Sequence, residues 1–147
     1  MKKLLFTIFP LIFITCSSVK NNEPELIYEL SDIFAWVDLM PGGEPGFHIT
    51  GRLDIYTSGN NETPQLSKLE IAVYQDEKNI YSFIPKLEYS SKQKEGIKAH
   101  LFTFFPQNRL PVKKLDFEKH ISIKCGFYLN GNSYSALIDS ILVNKVY

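Results

Sequence analysis

From residue 26 onward, hydrophobic and polar residues alternate along the chain with a period of two. In 47–55 and 121–129, every second residue is apolar or glycine, and the residues between them are mostly polar. This period is typical of β-strands with one buried face, as found in antiparallel sheets. The pattern predicts seven strands, at 26–39, 47–57, 67–75, 79–85, 96–105, 119–129 and 132–144.

Turn-forming residues separate the predicted strands. Segments 41–46 and 58–64 are rich in Gly, Pro and Asn and are predicted loops, and 76–79 is a predicted hairpin turn. Asn130-Gly131 predicts a type I′ hairpin. Together these features predict an all-β domain over 26–147, a single antiparallel β-sandwich of immunoglobulin-like type. A jelly roll or a partly open barrel is the alternative.

Composition narrows the function classes. The 147 residues include 16 basic and 16 acidic side chains, whereas a nucleic-acid-binding protein usually has a clear basic excess. A hydrophobic share of 44% with 22% charged residues excludes intrinsic disorder. An aromatic share of 14% favours the half-buried surface of a sheet.

The first residues differ from the rest of the chain. Lys2 and Lys3 precede an apolar run over 4–14, and Thr15, Cys16 and small polar residues follow. This order is typical of a secretory signal. The run is too short for a membrane-spanning helix, which takes about 20 residues.

The end of this segment, Phe13-Ile14-Thr15-Cys16, resembles the lipobox of bacterial lipoproteins, in the looser form found in Bacteroidota or spirochaetes. The resemblance implies that residues 1–15 are removed and that the Cys16 thiol is acylated. Residues 16–25 would then be the lipidated cysteine and its tether. The protein would be exported and anchored in the cell or outer membrane, facing the periplasm or the cell surface. The alternative is an ordinary signal peptide that is cut nearby.

The sequence offers little catalytic chemistry. The spacing of His48, His100 and His120 is not that of metal ligands. Each lies on the polar phase of its strand, meaning the set of alternate residues that points away from the core, so we predict solvated histidines. Cys125 lies on an apolar phase and is predicted to be a buried, inert thiol. We find no nucleophile elbow and no phosphate-binding glycine loop, and we expect no catalytic residue, metal or cofactor.

Aromatic residues on the polar phases give one candidate binding surface, consisting of Tyr56, Tyr74, Phe102, Phe104 and Tyr128. An exposed surface of this kind would bind a protein or a glycan. The alternative is ordinary packing, with the strand over 96–105 apolar on both sides and covered by a loop.

A weaker motif is Asp139-Ser140-Ile141, which resembles the O-glycosylation sequon of exported Bacteroidota proteins and makes Ser140 a candidate modification site. The whole pattern favours a lipid-anchored envelope protein that is a non-catalytic binding, structural or accessory module with an unknown protein or glycan partner. Such a module would use loops 41–46, 58–64 and 86–96 or the aromatic surface. The alternative is a secreted envelope enzyme or enzyme inhibitor.

Overall fold

The computed structural model describes residues 26–58, 63–112 and 115–147. All regular secondary structure in these ranges is β-strand. The strands are β1 (Ile27–Asp38), β2 (Gly46–Ser58), β3 (Leu66–Gln75), β4 (Lys78–Phe83), β5 (Pro85–Lys94), β6 (Ile97–Pro106), β7 (Leu110–Pro111), β8 (Ile121–Leu129), β9 (Asn132–Ile141) and β10 (Val143–Val146).

The strands form two sheets in a sandwich-like arrangement, which confirms the predicted all-β class and its two-layer architecture. One sheet has the order β10-β1-β2-β6-β5, with β7 paired to the beginning of β2. The other has the order β4-β3-β8-β9. Only β10 runs parallel to its neighbour β1, and every other pair in these ranges is antiparallel.

The core lies between the two sheets, where each contributes the apolar phase of its alternating strands. Its largest fully buried side chains are Phe47, Phe104, Phe127, Ile49, Leu53, Ile55, Ile71, Ile121, Ile123, Leu129 and Val37. Cys125 is also fully buried, and burial raises the pKa of its thiol to about 12. This confirms the predicted buried cysteine.

Tight hairpins join three neighbouring strand pairs. Asn130 and Gly131 have φ values of 49° and 85°, the two positive angles that a type I′ turn requires, so that prediction is confirmed. Asp76 and Glu77 repeat the pattern between β3 and β4, with φ values of 50° and 62°. Glu95 and Gly96 do the same between β5 and β6.

The prediction of seven strands is wrong, because the described residues contain ten. The largest error is the predicted loop 86–96, most of which belongs to β5. Strand β5 is an edge strand, and residues 86–94 are all exposed. Because both faces of this edge strand are exposed to solvent, its sequence does not alternate between apolar and polar residues. Its lysines hinder pairing with a strand of another chain.

The predicted strand 132–144 is in fact two strands that belong to different sheets. Strand β9 ends at Ile141 and β10 begins at Val143, so that only Leu142 lies between the two layers. Ile84 makes the same crossing between β4 and β5. The apolar run over 141–143 conceals the crossing in the sequence because it resembles a continuous buried strand.

Strand β6 faces the core with the phase that we predicted to be polar. His100, Phe102 and Phe104 pair directly with Ile55, Leu53 and Gly51 of β2, and paired residues share a face of the sheet. Phe102 and Phe104 are therefore buried, which makes their assignment to an exposed surface wrong. The alternation of polar and apolar residues does not show which face of β6 packs into the core, because Leu101, on the other face, is also buried.

His100 is likewise fully buried, so its prediction as a solvated histidine is wrong. Its Nδ1 lies 3.0 Å from the Tyr89 hydroxyl, and its Nε2 lies 3.2 Å from Thr57 Oγ1. Thr57 Oγ1 in turn donates to the carbonyl of Lys98 at 3.4 Å. This network assigns the proton of a neutral ring to Nε2 and makes Nδ1 the acceptor for Tyr89.

We expect His100 to make the fold less stable in weak acid. Burial and the nearby charge of Lys98 lower the pKa of His100 from its ordinary value of 6.5. The unfolded chain therefore takes up a proton that the folded chain resists, and the stability present above about pH 6.5 declines as the pH falls. For one such proton, the loss is at most about 1.4 kcal/mol per pH unit.

Urea unfolding between pH 7 and pH 5 measures this effect. The His100→Gln variant should show a shallower pH dependence than the wild type, whereas His120→Gln, at an exposed position, should match the wild type. Equal slopes for His100→Gln and the wild type would contradict a neutral His100.

Candidate functional site

The predicted aromatic surface is not formed as one patch. Phe102 and Phe104 lie in the core, and Tyr56 lies on the outer face of the six-stranded sheet, the face turned away from the other sheet. Tyr56 donates to Glu29 Oε1 at 2.6 Å, and this hydrogen bond is the main reason that its pKa rises to about 12. Tyr74 and Tyr128 belong to the other sheet, near opposite ends of its β3–β8 pair.

A different group of side chains comes together on the outer face of the six-stranded sheet, because β1 contains a bulge. The register of β1 against β2 shifts between Ser31 and Phe34. Beyond the shift, Ala35 and Val37 point into the core, where they are 1% and 0% exposed. Trp36 and Asp38 consequently point outward.

Trp36 and His48 form an aromatic pair on this face. They are direct partners across β1 and β2, and their rings stack with centroids 5.1 Å apart and planes within 8°. Both side chains are half-buried. His48 is therefore not simply a solvated strand histidine, since one face of its ring is covered by Trp36.

Arg109 lies at the same end of the sheet. Strand β7 pairs Leu110 with Phe47, which holds the preceding residue beside β2. The Arg109 side chain passes over Gly46, in the space that a Cβ atom at that position would occupy. Its Nη2 lies 3.8 Å from Asp38 Oδ2, while Asp38 Oδ1 accepts a hydrogen bond from the Met40 N–H at 3.0 Å.

The side chains of Trp36, His48, Asp38 and Arg109 line an open cleft of about 390 Å³. We call it the Trp36 cleft and define it by Trp36, Asp38, His48, Thr50, Phe105 and Arg109. It combines aromatic rings with one carboxylate, one guanidinium and one hydroxyl, and the amides of Gln107 and Asn108 also line it. Its volume falls within the range of small-molecule sites, about 300 to 1,000 Å³. Sequence reasoning missed the site because the bulge that turns Trp36 outward leaves no mark in the period-two pattern.

A second polar cluster on the same face is structural. Arg52 donates from Nε and Nη2 to the two carboxylate oxygens of Asp54, at 2.6 and 2.9 Å, and Ser31 Oγ donates to Asp54 at 3.0 Å. Arg52 Nη1 also lies 2.5 Å from Asp32. Asp54 is 2% exposed, and its hydrogen bonds with Ser31 and Arg52 tie β1 to β2.

The remaining sequence candidates are dispersed. Among the described residues, no three His, Cys, Asp or Glu side chains are grouped so that they could hold a metal ion. Ser140 is exposed on β9 with a φ of 61°, and its glycosylation stays a prediction. Cys16 lies outside the described residues, as does part of the predicted loop 58–64. Over the ranges that the structure covers, there is no helix long and apolar enough to span a membrane.

Fold and site together define a two-sheet β-sandwich that has an open cleft of aromatic and oppositely charged side chains on its outer face. In comparisons with known proteins, no family model, curated protein or solved structure matched the chain.

Proposed function

We propose that the chain is an exported, lipid-anchored binding module of the cell envelope, and that the Trp36 cleft is its binding site. The observation that carries this proposal is the position of the cleft. The predicted tether leads into β1 at Ile27, whereas Trp36 and Asp38 lie at the other end of this strand. At about 3.3 Å per residue, the cleft lies roughly 30 Å from the point where the tether would join.

The chemistry of the cleft supports binding rather than catalysis. The only carboxylate among its defining residues accepts a hydrogen bond from Met40 and faces Arg109. The His48 ring stacks on Trp36 and contributes an aromatic surface to the cleft. The fully buried Cys125 is remote from this surface and has the raised pKa of an unreactive thiol.

We also propose that the sandwich is immunoglobulin-like. The sheet order β1-β2-β6-β5 corresponds to strands A, B, E and D of that fold, and β3-β8-β9 corresponds to C, F and G. Strand β4 would then be the additional strand beside C. Because the strands correspond both in their order within each sheet and in their order along the chain, we favour an immunoglobulin-like sandwich over a jelly roll.

The anchor has a direct test. Cys16→Ser should abolish the incorporation of labelled palmitate and release the protein from the membrane fraction, because serine lacks the thiol that is acylated. Cys125→Ser is the matched control and should label as the wild type does. Retained labelling of Cys16→Ser would contradict the lipoprotein assignment.

The binding site is tested with the full-length protein immobilised on beads and a fractionated envelope extract. We expect Trp36→Ala to lose most of the retained material, because it removes one ring of the stacked pair that lines the cleft. Tyr128→Ala should retain as much as the wild type, since Tyr128 is an exposed aromatic on the other sheet. The amount and composition of the eluted fraction are the measurements.

Two outcomes would contradict the proposal. Either no envelope component is retained by the wild type, or the Trp36→Ala and Tyr128→Ala proteins retain the same components in the same amounts. Thermal unfolding of both variants shows whether each is folded under the conditions of the assay.

A further inference from the structure

We infer that the Trp36 cleft binds a neutral saccharide, with a sugar ring packed against the Trp36–His48 pair and a hydroxyl group held between Asp38 and Arg109. This inference rests on the proposed function and names the class of ligand.

The distance between Asp38 and Arg109 is the first observation that points to a hydroxyl. Nη2 and Oδ2 are 3.8 Å apart, which is too long for a direct N–H···O hydrogen bond of about 2.7 to 3.2 Å. A hydroxyl oxygen that lies beside the gap can accept from the guanidinium and donate to the carboxylate at the same time. Sugar hydroxyls have this dual capacity, whereas an ionised carboxylate or a fully ionised phosphate group is an acceptor only.

The charge of the cleft is the second observation. Asp38 lies on β1, and Arg109 directly precedes β7 on the other side of β2; their opposite charges give the pair no net charge. An anionic ligand would be attracted by Arg109 but repelled by Asp38, and a cationic ligand would meet the reverse. A neutral ligand that uses both groups as hydrogen-bonding partners avoids this conflict.

The aromatic pair is the third observation. Trp36 and His48 both line the cleft, and because they stack on each other, a ligand can contact only the ring faces that point away from the pair. The C–H groups on one face of a pyranose ring form a matching flat apolar surface, so that ring packs well against aromatic side chains. With a volume of about 390 Å³, near the small end for ligand sites, the cleft suits one or two sugar rings rather than a long chain.

Gly46 supports the polar half of the site. Because it has no Cβ, the Arg109 side chain can lie across β2 and approach Asp38. An alanine at this position would occupy the place of the Arg109 side chain and push the guanidinium away. The Gly46→Ala variant therefore displaces one binding group without removing it.

The experiment uses the emission of Trp36, which is the only tryptophan in the chain. The full-length protein is held in a detergent that has no sugar headgroup and is titrated with maltose, cellobiose, lactose, mannobiose and diacetylchitobiose, which are all neutral. Glucose 6-phosphate and galacturonic acid are the charged comparisons. We expect a saturable change in emission with at least one neutral disaccharide and none with the charged sugars.

Variants then assign the polar contacts. Asp38→Asn, Arg109→Gln and Gly46→Ala should each weaken the binding of the responding disaccharide by about tenfold, the usual effect of losing one hydrogen bond to a charged group. Tyr128→Ala should bind as the wild type does. Asp38 and Arg109 are partly exposed, and the three atoms nearest to a Cβ at Gly46 all belong to the flexible Arg109 side chain. Thermal unfolding verifies that each variant is folded.

The saccharide inference is overturned if no neutral disaccharide changes the emission, if a charged sugar binds more tightly, or if the three cleft variants bind as well as the wild type. Its failure is distinguishable from that of the proposed function. If Trp36→Ala still abolishes retention of envelope material while no neutral disaccharide binds, the cleft is a binding site for another class of ligand. If neither effect is seen, both proposals are wrong.

Discussion

Truncation of Phe104 to alanine should lower the free energy of unfolding by about 4 kcal/mol, the range found for large aromatic residues in well-packed cores. Phe104 is 0% exposed and lies near the C-terminal end of β6, where it pairs with Gly51 of β2. Its Cζ atom lies 2.6 Å from the position that a Cβ of Gly51 would take. The surrounding backbone is held by sheet hydrogen bonds on both sides, so that it cannot collapse into the resulting cavity.

Urea denaturation measures this loss. If the slope of the unfolding free energy against urea concentration is unchanged, the variant exposes the same surface area on unfolding as the wild type does. Tyr128→Ala is the matched control, because Tyr128 is 42% exposed and its truncation should change stability by no more than about 0.5 kcal/mol. If the two variants lose equal stability, Phe104 does not belong to the core. The comparison therefore separates a core residue from a surface residue within the set that the sequence pattern had grouped together.

Asp54→Ala should lower the free energy of unfolding by about 3 kcal/mol, the lower end of the range for breaking a buried ion pair from one side. The Asp54 carboxylate is almost fully buried and accepts hydrogen bonds from Arg52 and Ser31. Among the described residues, its removal leaves the Arg52 guanidinium, which is 28% exposed, with only the more exposed Asp32 as a charged partner. The cost of the variant is chiefly that of the unpaired charge.

Two further variants separate this explanation from a simple loss of packing. Asp32→Ala removes the partner whose side chain is 60% exposed and should cost less than about 1 kcal/mol. The double variant Asp54→Ala with Arg52→Met should be more stable than Asp54→Ala alone, because it also removes the stranded cation. If the double variant is the less stable of the two, the unpaired charge is not the main cost.

The sequence pattern predicts the fold well where one face of a strand is buried and the other is exposed to solvent. In β8, every second residue packs into the core and the residues between them are more exposed, as their alternation indicates. Strand β2 follows the same pattern except at Gly46 and Asp54, which are buried on its outer face. The sequence of Asn130-Gly131 is sufficient to predict its hairpin because the required backbone angles are local. In these segments, residues that are adjacent along the chain determine the structure.

Prediction failed where burial depends on distant parts of the chain. Residues of β5 are exposed on both faces because the four-stranded sheet does not extend over this edge, and the sequence around Tyr89 has no period to reveal it. The opposite holds for β6, where Leu101 and Phe102 are both buried and the period is lost for that reason. In both strands, the extent of the opposing layer determines which faces are buried, and this extent is not encoded locally.

The candidate site was not predictable for a related reason. Alternation through β1 would put Trp36 on a fixed phase relative to Tyr28, but the bulge after Ser31 reverses the phase between them. Arg109 is 71 positions away from its partner Asp38 and reaches it only because the short β7 pairs with β2. Neither the bulge nor this short pairing leaves a pattern in the sequence.

The parallel pairing of β1 with β10 has a mechanical consequence. Ala35–Asp38 of the first strand pair with Val143–Val146 of the last, so the two ends of the chain leave this pair in opposite directions. A force that pulls the two termini apart would slide the strands along each other and load their hydrogen bonds in shear, so the bonds would share the load and yield together. Resistance of this kind is governed by the rate of unfolding rather than by equilibrium stability.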